Sequence, residues 1–344
     1  MRKYFSLAIL ILIIVFVGFY LNKNLSIIME TFSTTAANLT GYFFLAAIFV
    51  FLAYFFIAKS YQVVFAMNGL KRNAWELNKL NIIGLAVNVI IPTAGLSQAV
   101  IYAEDAHKRG ESKSVTVNSV LATYISDYTS ITLFVLVSLA YLYAIDSVVP
   151  HVVIPAVVLV VLTTVVYVLS YFAGKESQNL EKFIVFLAIK IEGVLKFIFR
   201  KRFNIHDSID SLYKNFKNMN KAIIADPKDW IKAIGWASLY HAFAIASIYV
   251  ILVSLGYQPL VRVIIAAYSV GEAIRIVSPT PSGIGFVEGA MYLVFTSLGV
   301  PGPVATTTAI IFRGLVFWIP LGIGTILYQR RKLKEAFSEI VSGD

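Results

Sequence analysis

The chain has 344 residues, 58% of them hydrophobic and only 14% charged, with a formal net charge of +10 and a mean hydropathy of +0.78. An ordinary soluble domain carries about 25% charged residues, so this composition excludes a water-soluble catalyst. It predicts a single membrane domain over residues 1–335 with a short tail at 336–344. No cysteine is present, which excludes disulfides, thiolate nucleophiles and zinc–thiolate sites.

The basic residues gather between apolar runs, as the positive-inside rule expects of a membrane protein, and this pattern argues against nucleic acid as a partner. At the amino terminus, Tyr4 to Leu21 lacks a small-x-small cleavage site and reads as a retained first helix. Further spans are predicted over 41–58, 115–142, 152–173, 233–255 and 304–328. Two other apolar stretches, 81–101 and 261–299, are interrupted by proline and glycine.

Charge orders these segments. With Arg2 and Lys3 in the cytoplasm, two crossings return Lys59, Lys71, Arg72 and Lys79 to the same side. A re-entrant hairpin over 81–101 then keeps Lys108, Arg109, Lys113 and the basic 174–232 excursion inside. Over 261–299, a re-entrant pair entered from outside and two complete crossings give the same final orientation. The expected fold is therefore an all-α polytopic membrane protein in the cell membrane, with both termini cytoplasmic. It has about six full transmembrane helices and two broken hairpins, or eight helices if the second pair spans.

Within the excursion, Phe183 to Arg200 reads as an interfacial helix. Ile205, Ile209, Leu212, Phe216, Met219 and Ile223 form one apolar stripe beside Lys214, Lys217 and Lys221. This basic face suits anionic lipid headgroups or a partner protein, or it is a packed helix that is positive because it is cytoplasmic.

An internal repeat links the two interrupted stretches. Gly84 to Thr93 aligns without gaps to Gly271 to Thr280, matching Gly84 with Gly271, Ala86 with Ala273, Pro92 with Pro279 and Thr93 with Thr280. After a short insertion, Gly95 to Gln98 matches Gly285 to Glu288. Each copy lies between two apolar spans, and the topology above places the copies in inverted orientation. Proline removes an amide donor and glycine lets the chain turn. Two breaks from opposite faces would therefore build a polar binding site near the midplane, shaped by Pro92, Gly95, Pro279 and Gly283.

Charge in hydrocarbon is costly, so each instance asks for a reason. Asp127 and Arg313 lie half-way along their spans at near-equivalent repeat positions, which suggests that they pair. Glu272 and Arg275 share a helical face before the second break, and Glu288 follows it. Structural ion pairing and substrate binding are both open for these five residues, and His241 reads as a buried, hydrogen-bonded histidine. No Walker A loop, GxSxG, HExxH or paired-histidine spacing occurs, so no catalytic residue, metal or cofactor is expected.

The run Ser278-Pro-Thr-Pro-Ser-Gly-Ile-Gly-Phe-Val-Glu288, followed by Leu298-Gly-Val300, Arg313 and Pro320-Leu-Gly322, resembles the membrane region of the lysylphosphatidylglycerol synthase/flippase family. Asn88-Val-Ile-Ile-Pro-Thr-Ala-Gly95 and Asp127 resemble its first motif and the acidic position after it. The resemblance runs from about residue 4 to 330. In the multiple peptide resistance factors, a soluble domain transfers lysine from tRNA to phosphatidylglycerol and the membrane domain moves the product outward. This sequence is expected to lack the transfer domain.

The resemblance thus implies a flippase-like transporter that moves a phospholipid or lipid-linked headgroup, either aminoacyl-phosphatidylglycerol-like or glycolipid. It carries Pro92, Gly95, Asp127, Glu288 and Arg313 as family-equivalent positions. A membrane enzyme of headgroup modification and a scaffold subunit that uses the basic excursion are the alternatives, and assembly as a homo-oligomer is open.

Overall fold

The computed structural model describes residues 41–90, 96–144, 150–175, 217, 221, 223–278 and 280–342. The predicted span at 4–21, Pro92, Gly95, Pro279 and most of the 174–232 excursion lie outside the described residues. The described elements are all helical: α1 (Gly41–Met67), α2 (Ala74–Ile90), α3 (Leu96–Lys108), α4 (Lys113–Ala144), α5 (Pro150–Gly174), α6 (Pro227–Ser254), α7 (Val261–Val277), α8 (Phe286–Ser297), α9 (Gly302–Arg313) and α10 (Ile319–Ser342). A 3-10 turn at Pro281–Gly283 precedes α8, and a π turn at Gly314–Trp318 joins α9 to α10.

Among the described residues, four segments are long and apolar enough to cross a membrane: Gly41–Met67, Lys113–Ala144, Pro227–Ser254 and Gly302–Arg331. Their outward faces are apolar, as are Val157, Val161, Leu162, Val165 and Val168 on α5. Water would penalise so continuous an exposed surface, and lipid would not. Helix α6 starts at Pro227, six residues ahead of the span predicted from 233. There the Asp226 carboxylate accepts the Asp229 amide at 3.1 Å and proline occupies the first helical position.

Between the long helices sit two short-armed hairpins, α2–α3 and α7–α8. The arms of the first have 17 and 13 residues, and those of the second 17 and 12. Glycine lets the arms approach. A Cβ on Gly84 of α2 would strike the Gln98 side chain of α3, and one on Gly271 of α7 would lie 3.0 Å from Met291 Cγ of α8. These two glycines are the ones aligned by the sequence repeat.

The bases of the two hairpins lie at opposite ends of the bundle. At the first base, buried Arg72 in the α1–α2 loop bonds Asp105 at 2.8 Å and Glu111 at 2.7 Å, and Tyr102 donates to the Leu77 carbonyl at 3.0 Å. At the second base Leu255 and Val300 are buried in an apolar cluster. The segment Gly302–Arg331 connects the two ends. It begins just after Val300 of the second base, and Arg331 reaches Glu104 of the first at 3.8 Å. At 1.5 Å per residue its 30 residues cover about 45 Å. The inner end of α2 and the second tip therefore point toward each other, and they meet where Val89 of α2 packs with Ile284 and Phe317.

Helix α10 crosses α2 at close range. A Cβ on Gly324 would fall on the Ile82 carbonyl oxygen and lie 3.3 Å from Ala86 Cβ, whereas Gly322, half a turn away, has nothing within 4 Å. Gly324→Ala is expected to destabilise the protein by about 1–3 kcal/mol through overpacking, seen as a lower unfolding temperature in detergent micelles. Gly322→Ala should leave that temperature unchanged, and equal effects of the two would reject the close crossing.

Candidate functional site: a charged cavity between the hairpin tips

A cavity of about 370 Å³ lies beside this meeting point. Spacing of seven on two helices and of four on a third builds its walls. Tyr54, Ile57 and Tyr61 line it from α1, Asn81, Leu85 and Asn88 from α2, and Thr123, Tyr124, Asp127 and Tyr128 from α4. The second tip adds Ser278, Thr280 and Ser282, while Glu272, Arg275 and Arg313 bring charge.

The second tip is built from left-handed backbone. Ser282 (φ +52°), Gly283 (φ +71°) and Gly285 (φ +81°) all adopt positive φ. Gly283 also has no room for a side chain, since its Cβ would lie 2.5 Å from Val287 Cγ2 and 3.0 Å from Arg275 Cα. Ser282 is the strained member, because an L-residue with a Cβ disfavours this region. Side chains hold the turn: the Thr280 hydroxyl donates to the Ile284 carbonyl at 2.9 Å and lies 2.9 Å from Ser278 Oγ.

Arg313 anchors this tip. Its Nε donates to Glu288 Oε1 at 2.8 Å, its Nη2 donates to the Ser282 carbonyl at 3.1 Å, and its guanidinium lies 4.3 Å from the Phe317 ring centroid. The other Glu288 oxygen accepts the Gly285 amide at 2.8 Å, so this carboxylate also caps the start of α8. With 4% of its side chain exposed, Arg313 is committed to protein. The Asp127–Arg313 pair suggested by the sequence is not formed: the tip presents Glu288 to Arg313 first.

The π turn follows Arg313 at once. Such turns leave a carbonyl out of the regular ladder, and here Tyr54 of α1 donates to the Val316 carbonyl at 2.9 Å.

Asp127 has other neighbours. Its Oδ1 lies 3.1 Å from His241 Nε2 of α6, and its Oδ2 lies 3.9 Å from Arg275 Nη2 of α7. The imidazole contact is close but off-line, so neither Oδ1 nor Nε2 makes a hydrogen bond within the protein. Arg275 Nε donates to Glu272 at 2.7 Å, one helical turn away. Its side chain is 29% exposed, which makes it the guanidinium that faces the cavity.

Of the residues singled out from sequence, Asp127, Glu272, Arg275 and Arg313 line one cavity, and Glu288 and Gly283 stand directly behind it. Pro92, Gly95 and Pro279 lie outside the described residues. Sequence reasoning missed the tyrosine and asparagine walls. Their signal is the i, i+7 recurrence of Tyr54 with Tyr61 and of Asn81 with Asn88, a polar stripe on helices otherwise read for hydropathy.

The anchoring role predicts asymmetric costs. Glu288→Ala strands a buried guanidinium and uncaps α8, and is expected to cost about 3–5 kcal/mol. The double variant Glu288→Ala, Arg313→Met relieves the stranded charge and should recover part of that loss in thermal unfolding. A double variant no more stable than Glu288→Ala would refute the pair.

The comparisons with known proteins agree with one another. A model described as "Lysylphosphatidylglycerol synthase TM region" matches residues 4–324. An UPF0104 membrane protein of Pyrococcus horikoshii is 25% identical over 264 residues, covering 73% of this chain and 76% of that protein. An UPF0104 membrane protein of Methanothermobacter thermautotrophicus is 22% identical over 263 residues, covering 74% and 75%. Broken hairpins, apolar outer faces and a family match over nearly the whole length lead to one conclusion: this all-helical membrane protein belongs to the lysylphosphatidylglycerol synthase TM region family.

Proposed function

We propose that the protein moves a phospholipid or lipid-linked headgroup between the leaflets of the cell membrane, as a flippase-like transporter. One observation carries this reading: a charged, tyrosine-walled cavity lies beside the point where the inner end of α2 and the second tip meet from opposite ends of the bundle. A headgroup crossing hydrocarbon needs a polar station at mid-depth, and a cavity of about 370 Å³ suits a headgroup while the acyl tails stay in lipid.

The arms of the hairpins favour re-entrant segments over full crossings. The 12 residues of α8 extend about 18 Å, well short of the roughly 30 Å hydrocarbon core. Six full spans, one of them at 4–21, and two re-entrant hairpins in inverted repeats then describe the fold. Both termini are cytoplasmic, because the charged base of the first hairpin, with Arg72, Lys108 and Arg109, belongs inside.

Arg275 is the cation that receives an anionic phosphate, since Arg313 is already bound to Glu288 and Ser282. A guanidinium offers a planar fork of donors that an ammonium lacks. The 174–232 excursion supplies a basic surface for anionic lipid at the cytoplasmic face.

In proteoliposomes, fluorescent phosphatidylglycerol should exchange between leaflets when the protein is present. Arg275→Gln is expected to slow this by at least about tenfold, the equivalent of one lost charged hydrogen bond of roughly 1.5–3 kcal/mol, in protein that stays folded at the assay temperature although Glu272 loses its partner. Full exchange by that variant would remove Arg275 from the pathway. For topology, single cysteines placed on this cysteine-free chain provide the check. A cysteine at Gln258 should react with an impermeant thiol reagent in intact cells, and one at Ser112 should not. Labelling at Ser112 from outside would overturn the orientation.

A further inference from the structure

His241 is fully buried, yet one of its nitrogens is left without a hydrogen bond. Its Nδ1 lies 2.7 Å from the Tyr268 hydroxyl, and its Nε2 is the atom 3.1 Å from Asp127 Oδ1. A buried polar atom without a partner costs free energy, so the arrangement asks what completes it. The contact has room for one proton. With Nδ1–H donating to Tyr268, Nε2 presents a lone pair to a carboxylate lone pair, and the two repel. A proton on Nε2 makes the contact attractive, and a small rotation of either side chain then aligns it as a charge-assisted hydrogen bond.

Asp127 stands between this imidazole and the cavity cation, with one oxygen toward His241 and the other 3.9 Å from Arg275 Nη2. The titratable groups whose rings pack on His241 are Tyr240 on its own helix and Tyr268 on α7, while Tyr61 on α1, Tyr128 on α4 and Glu272 and Arg275 on α7 belong to the same charged cluster around Asp127. Glu272 is held by Arg275 and Arg313 by Glu288. Asp127 is thus the carboxylate whose partner a proton can change.

We propose that Asp127 and His241 form a proton-binding site that couples proton movement to headgroup movement, an inference that rests on the transport reading above. A proton from water on one side binds His241 Nε2, forming an N–H bond. The imidazolium draws Asp127 toward α6 and frees Arg275 to take the phosphate. Loss of that proton to water on the other side returns Asp127 to Arg275 and expels the anion. Proton and anionic headgroup therefore load together and leave together, because each raises the affinity for the other.

The test uses the full chain in phosphatidylcholine vesicles doped with fluorescent phosphatidylglycerol, under a gradient of one pH unit. Leaflet distribution is read by chemical quenching of the outer leaflet. One proton per anionic lipid sets a limiting leaflet ratio of about tenfold, with lipid accumulating on the alkaline side. His241→Gln is expected to abolish this bias whatever its rate. Tyr268→Phe, which removes the hydroxyl that positions Nδ1, should weaken it. Exchange by the unaltered protein that settles at equal leaflets despite the gradient overturns proton coupling and leaves the transporter standing. No exchange in any gradient removes the transport reading, and this inference with it. A bias that survives in His241→Gln also overturns the assignment.

Discussion

A helix interrupted inside a membrane leaves backbone donors and acceptors that lipid cannot satisfy, and the rest of this architecture answers that demand. At the second tip the answer is Arg313. Its guanidinium takes the Ser282 carbonyl, binds the carboxylate that caps α8, and rests on Phe317. Three residues with positive φ can persist there because ion pair, cap and ring fix them together. The charge is a structural part of the break before it is part of any pathway. The cavity beside the second tip is polar because the charge and hydroxyls that hold that tip also line it.

Two arginines in one cavity consequently have different standing. Arg313 is enclosed by the tip it anchors, while Arg275 is tethered at one nitrogen to Glu272 and turns its remaining edge to the cavity. Two neighbours compete for Asp127 from opposite sides. A site arranged in this way holds charge in reserve, since small displacements redistribute partners without any ion leaving protein contact.

Apolar run length made the long helices legible in sequence, because 115–142 and 233–255 lie in or close to α4 and α6. Their true ends were less legible. Hydropathy stops at Lys232, but helical hydrogen bonding continues back to Pro227, where Asp226 supplies the cap. The charged members of the site stood out because charge is rare in such runs, and the repeated Gly84 and Gly271 marked the close-packed arms. The partners did not stand out. Asp127 and Arg313 occupy similar places in the two repeats, but which carboxylate meets Arg313 depends on a tip only a few residues long. The tyrosine walls were hidden for a plainer reason: tyrosine counts with the apolar residues until a neighbour claims its hydroxyl.

The π turn at Gly314–Trp318 divides the last crossing into halves with different allegiances. Above it, α9 joins the apolar cluster around the second hairpin, while below it α10 is pressed against α2 with no space even for a methyl group at Gly324. The crossing is therefore a jointed rod whose two lengths are bolted to opposing jaws. Any movement of one hairpin against the other would load five residues wound to the wrong pitch, which Tyr54 ties to α1.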